Sequence, residues 1–146
     1  MREFKGKKYD GEMTTKEIGR EVKKYIKENF GNKNSVRTTY DTISIKIDLK
    51  EDNFAKTREE ISDIGVNYKT RVLDELERQE KPWTDTNIEN YLKETKVPNK
   101  ETGQMYEDIR KFLADYNRDN SDPYTDYFDV KFYSDISFTF EGNYFV

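Results

Sequence analysis

The stretch Thr42–Leu49, TISIKIDL, constrains the fold more than any other part of the chain. Ile43, Ile45, Ile47 and Leu49 occupy every second position, and Thr42, Ser44, Lys46 and Asp48 fill the positions between. A period of two is the signature of a strand with one face on a core and one on solvent. Lys46 and Asp48 should therefore point to water unless another element covers them. Ser35 to Thr39 reads as a short strand just before it, with Tyr40 and Asp41 as the turn between the two.

The flanking segments carry a different period. Thr14 or Thr15 is a good N-cap, and Ile18, Val22, Tyr25 and Ile26 recur at helical spacing before the stop at Gly31, which predicts a helix over about Thr15 to Asn29. Phe54, Ile61, Ile64, Tyr68, Val72 and Leu76 predict one helix, or two split at Gly65, from Asn53 to about Lys81. Pro82 ends that run, and Trp83 reads as a core anchor or lid. A shorter helix capped by Thr84 or Thr86 follows, using Ile88, Tyr91 and Leu92. Asn99 then caps a helix from Lys100 to Tyr116 through Met105, Ile109, Phe112 and Leu113. Asn120 to Pro123 is turn chemistry, and the aromatic alternation after it predicts one or two strands with Phe132 and Phe138 inside. The expectation is a single α+β domain over 1–146, frayed over 1–13, with an antiparallel sheet of three to four strands packed by several helices.

Composition decides whether such a domain folds at all. Charged residues (38%) outnumber hydrophobic ones (33%), which leans toward disorder, but 11 Tyr, 9 Phe and Trp83 are far more aromatics than disordered chains carry. A folded, heavily solvated domain is expected. With no Cys and no His, disulfides, thiolate zinc sites, imidazole bases and every Ser/His/Asp triad are excluded. No Gly-rich phosphate loop exists among the seven scattered glycines, so nucleotide-driven enzymes are not expected. No apolar run is long enough to span a bilayer and the polar start lacks a signal-peptide core, so an intracellular protein without a membrane partner is expected.

Charge is distributed unevenly. Residues 1–40 hold 11 Lys/Arg against 6 Asp/Glu, and residues 107–146 hold 4 against 9. The two ends neutralise each other if they pack together; left apart, each is a surface for an oppositely charged partner. On the basic side Lys16, Arg20, Lys23, Lys24 and Lys27 form a stripe diluted by Glu17, Glu21 and Glu28, and Lys5, Lys7 and Lys8 precede it. On the acidic side the densest cluster is Asp119, Ser121, Asp122, Tyr124, Thr125, Asp126 and Asp129. Those are ligand types for a hard cation, but an EF-hand's turn glycine and closing glutamate are missing, so a hydrogen-bonded turn is the better reading and no metal or cofactor is expected. Paired carboxylates doing acid–base work would need a deeper cleft than a small domain supplies.

The tail YNRDNSDPYTDYFDVKFY (116–133), with the head TTKEIGREVKKYIKENF and the following SVRTTYDTISIKID, resembles the large polyvalent protein associated domain family, the twenty-ninth of that series. The resemblance covers about 70 of the 146 residues and leaves out the middle, about 52 to 100. It implies a setting on phages, plasmids and integrative elements, and hence the cytoplasm of a bacterial host. It carries over no catalytic residue. The expectation is an accessory protein that is not an enzyme and acts by binding, most concretely as an inhibitor of a host defence nuclease such as a CRISPR effector. Asp119, Asp122, Tyr124, Asp126, Tyr127 and Asp129 would replace phosphate charge and supply contact area. The alternatives are a nucleic-acid-binding module using the first helix's basic face, with direct nucleic-acid binding otherwise not expected, and a carboxylate-only, metal-dependent hydrolase.

Overall fold

The computed structural model describes residues 4–6, 8–63, 68–119 and 130–144, with the side chains of Phe4, Lys5, Arg118 and Asp119 left out. The fold class is α+β. In chain order the elements are β1 (Phe4–Lys5), α1 (Thr15–Phe30), β2 (Asn34–Thr38), β3 (Thr42–Leu49), α2 (Tyr68–Arg78), α3 (Asp85–Glu94), α4 (Lys100–Ala114), β4 (Arg118–Asp119), β5 (Tyr133–Phe140) and β6 (Asn143–Tyr144). The chain divides into two compact units, residues 1–48 with 108–139 and residues 49–107 with 140–146.

In the first unit, β3 buries Ile43, Ile45 and Ile47, as the alternation requires. It pairs antiparallel with β2, Thr38 opposite Ile43 and Val36 opposite Ile45. The helix α1 starts where Thr14 Oγ1 accepts the Glu17 N–H and ends at Gly31, whose φ of 70° lets its N–H reach the Ile26 and Lys27 carbonyls. Ile18, Val22 and Ile26 face inward from it and are fully buried. Gly19 lies directly over β2, where a Cβ would come 2.9 Å from Thr38 Cγ2 and 3.2 Å from Val36 Cγ1. Phe112, expected in the core, is half-buried and stacks on Tyr25 with centroids 4.3 Å apart. Burial, and to a smaller degree the Asp108 charge, raises the Tyr25 pKa above that of a free phenol. Phe132 is buried, whereas Phe138 is only half so.

The four-stranded sheet has the order β2-β3-β5-β6 and is mixed, which corrects the all-antiparallel expectation. Along β3 and β5 the contacts climb together: the Tyr133 N–H donates to Asp41 O (2.7 Å), Ser44 Oγ to Asp135 Oδ2 (2.8 Å) and Thr139 Oγ1 to Asp48 Oδ1 (2.8 Å). These strands run parallel, and parallel neighbours need a long crossover, which the helical residues between them provide. The Thr139 contact also covers Asp48, while Lys46 points to water as expected. After β5, Glu141 (φ 52°) and Gly142 (φ 81°) form a two-residue turn with two positive φ angles, the geometry that suits a twisted hairpin into β6.

The N-terminal segment is paired with a distant part of the chain where it is described. β1 pairs with β4, Lys5 opposite Arg118, and the N–H groups of Gly6 and Lys8 donate to Asn117 O (2.8 Å) and Asp115 O (2.5 Å). The backbone of residues 4–6 and 8 thus lies beside that of residues 115–119.

The second unit centres on a buried cluster of Ala55, Ile61, Val72, Leu76, Ile88, Leu92 and Val97. The helix expected from Asn53 is absent up to residue 63. Residues 51–63 form two 3₁₀ turns, Glu51–Asn53 and Arg58–Glu60, joined by extended backbone that bridges Phe54 to Pro98 and Ile61 to Asn99. Side chains compete with helix formation here: Asn53 Oδ1 accepts the Lys50 N–H (2.8 Å), and Glu60 Oε2 accepts the Thr57 N–H (3.0 Å). The helices after it follow their caps, Thr84 Oγ1 accepting the Asn87 N–H before α3 and Asn99 Oδ1 the Thr102 N–H before α4. Trp83 is no core anchor: it is 51% exposed, with its indole N–H donating to Leu73 O (3.0 Å).

Candidate functional site

Of the residues expected to meet a partner, Asp119 lies in β4, its backbone opposite Phe4. Asp122, Tyr124, Asp126, Tyr127 and Asp129 lie outside the described residues. The described chain resumes at Val130, and there it forms one wall of a cleft in the first unit.

That cleft, of about 540 Å³, gathers three segments distant in sequence: the approach to α1 (Tyr9, Gly11 to Thr15), the β2–β3 turn (Tyr40, Asp41) and the entry to β5 (Val130, Lys131, Tyr133). Each wall is fixed by its own polar chemistry. Asp10 Oδ1 accepts the Glu12 N–H (3.0 Å) and Asp10 O the Met13 N–H (3.1 Å), which winds the chain into the Thr14 cap. Asp41 Oδ1 accepts the Thr42 hydroxyl (3.2 Å), and Asp41 O takes the Tyr133 N–H, tying the turn to β5. Lys131 Nζ donates to Asp10 O (2.8 Å) and lies 5.4 Å from the Tyr9 ring centroid.

The cleft presents three phenols, Tyr9, Tyr40 and Tyr133, with the carboxylates of Glu12 and Asp41. Tyr40 is 97% exposed and Tyr133 49%. Exposed tyrosine beside carboxylate suits contact with a basic surface, because the ring covers area at little entropic cost and also attracts cations. No group of three or more acidic residues able to hold a metal ion occurs among the described residues. The alternative surface is also in place: Lys16, Arg20, Lys23, Lys24 and Lys27 are exposed along α1, interleaved with exposed Glu17, Glu21 and Glu28.

Sequence reasoning identified Tyr40 and Asp41 only as a turn and did not connect Tyr9, Glu12 or Tyr133 with them. The available signal was an aromatic at a tight turn, where propensity favours small polar residues.

No helix among the described residues is long and apolar enough to cross a membrane. No family model matches the chain, and no curated protein or solved structure matches it either.

Proposed function

We propose that this protein acts by binding, presenting an acidic, tyrosine-rich face to a basic groove built for phosphates. In the mobile-element setting that its head and tail resemble, the partner is a host defence nuclease such as a CRISPR effector, and the consequence is inhibition in the bacterial cytoplasm. The observation that carries this reading is the first-unit cleft, with Tyr9, Tyr40 and Tyr133 around Glu12 and Asp41. Carboxylates at such a face steer the encounter with Lys and Arg, and the rings supply the buried contact that slows dissociation. In the sequence, the acidic run from Asp119 to Asp129 immediately precedes Val130 and Lys131 of the cleft wall.

The test is inhibition of target cleavage by purified defence effectors, followed by binding kinetics against any effector that is inhibited. Asp41→Lys should slow association and flatten its salt dependence. Tyr40→Ala should speed dissociation, at a cost on the order of 2 kcal/mol. Effectors uninhibited at stoichiometric excess would sink the nuclease-inhibitor reading. Unchanged rates in both folded variants would remove the cleft from the interface. Duplex DNA binding that weakens steeply with salt would instead favour the basic face of α1.

A further inference from the structure

The second unit has a cleft of its own, and its chemistry is the opposite of the first. It measures about 330 Å³ and lies over the buried side chains of Val72 and Val97. Among the described residues its polar lining is Tyr68, Arg71, Tyr91, Thr95 and Lys96, with no carboxylate, although 30 of the chain's 146 residues are Asp or Glu.

The sequence builds this lining from two helix faces and one extended strip. Tyr68, Arg71 and Val72 fall at i, i+3 and i+4 of α2 and share a face. Tyr91 comes from α3, and residues 95–97 follow that helix. Tyr68 and Tyr91 each pack against the buried cluster. The Arg71 guanidinium lies 5.7 Å from the Tyr68 ring centroid. Among the described residues it has no ion-pair or hydrogen-bond partner, and neither do the hydroxyls of Tyr68, Tyr91 and Thr95. Lys96 is anchored by Glu51 (3.1 and 3.2 Å) and sits over the Phe54 and Phe140 rings, 5.0 and 4.5 Å from their centroids. Burial raises the pKa of Tyr68 against the opposing charge of Arg71.

We propose that this cleft binds a nucleoside monophosphate, with the phosphate on Arg71 and the base against a tyrosine ring. Guanidinium is the side chain best shaped for a phosphate fork, and every base has a face that stacks on an aromatic ring. The three hydroxyls are donors and acceptors placed for the sugar and the base edge. A cationic ligand would meet Arg71 and Lys96, and a purely apolar one would leave four polar groups without partners. The volume is at the low end for small-molecule sites, which limits the occupant to about one nucleotide. That nucleotide is either free or the phosphorylated end of a single strand. The inference does not rest on the proposed partner-binding role, since it uses none of the same residues.

Isothermal titration of the full chain separates these cases with four probes: adenosine monophosphate, inorganic phosphate, adenosine, and a short single strand of deoxyadenylate bearing a 5′-phosphate. Saturable one-to-one binding of the monophosphate below about 1 mM is expected, with phosphate and adenosine each at least about tenfold weaker. Arg71→Met, which keeps the stem over Tyr68, should weaken the monophosphate at least about tenfold with an unchanged circular dichroism spectrum. Tyr91→Leu, which keeps an apolar contact with the core, should weaken the monophosphate and leave phosphate unaffected. Tighter binding of the strand than of the monophosphate would make the strand end the ligand, and the reverse order the free nucleotide; both outcomes support the site. No saturable binding of either, equal binding of phosphate and monophosphate, or an unchanged affinity in Arg71→Met would overturn it.

Discussion

Gly19 sits in the middle of α1, where glycine costs about 1 kcal/mol of helix stability relative to alanine. On local propensity alone, Gly19→Ala should stabilise the protein. The geometry reverses the sign. The new methyl would stand 2.9 Å from Thr38 Cγ2 and 3.2 Å from Val36 Cγ1, and atoms in contact settle near 3.5 to 4.0 Å. Thr38 and Val36 are both β-branched and stiff at χ1, and both are held in register with Ile43 and Ile45, so neither side chain gives way easily. Overpacking of this kind costs about 1–3 kcal/mol, against the gain of about 1, which leaves a net loss of up to about 2 kcal/mol. Thr38→Ser removes the closer methyl. In that background Gly19→Ala should be neutral or stabilising, and the coupling between the two changes is the difference from its wild-type cost, up to about 3 kcal/mol. Urea unfolding of the four proteins, followed by far-ultraviolet circular dichroism, measures the cycle. If Gly19→Ala gained the full propensity term in the wild-type background, with no coupling to Thr38, then α1 would not be seated on β2 through this glycine, and the outward direction of its basic stripe would lose its basis.

Three further outcomes follow from local geometry. Glu80 closes α2 with φ at 58°, its N–H donating to Glu77 O (3.0 Å) and the Lys81 N–H to Leu76 O (2.9 Å), so Glu80→Gly should raise stability by about 0.5–1 kcal/mol in the same urea assay. The Thr102 hydroxyl, fully buried, is 2.7 Å from Asn53 O and 2.9 Å from Asn99 Oδ1; Thr102→Val should cost about 1–2 kcal/mol, and a neutral result would show that the cap does not hold α4 to the 3₁₀ turn. Hydrogen bonds from Arg78 and Gln79 hold the Glu75 carboxyl down to about 2; because the folded value is depressed, its contribution is complete above the ordinary carboxylate range and is lost as pH falls toward 2, so a carboxyl titration by NMR should show Glu75 ionising well below the other glutamates, and Arg78→Met should bring it back up.

The parts of this fold that could be read from sequence are those whose signal is local and repeated. In β3 four apolar residues in strict alternation leave one solution, and α1, α3 and α4 announce their starts through Thr14, Thr84 and Asn99, each seen accepting the backbone N–H that a cap must accept. From Asn53 to residue 63 the helical period rests on Phe54 and Ile61 alone, and the structure there is not an α-helix. Two apolar residues seven apart fit a helix face, but they also fit two extended bridges to Pro98 and Asn99, and only the distant partner decides. The direction of β5 has the same origin. Its own alternation says nothing about parallel or antiparallel pairing, which is set by how the intervening chain returns. Both clefts lie at this same level. The first needs Tyr9, Tyr40 and Tyr133 brought together across more than a hundred residues, and the second needs an α2 face opposite the strip after α3. Residue types alone excluded thiol and imidazole chemistry, since Cys and His are missing, but a binding surface is defined by adjacency. Here adjacency gives two different linings that the net value of −4 does not show: Glu12 and Asp41 with tyrosines and Lys131 in one cleft, Arg71 and Lys96 with tyrosines in the other. A mean charge cannot express such local differences, which only the folded arrangement of the side chains creates.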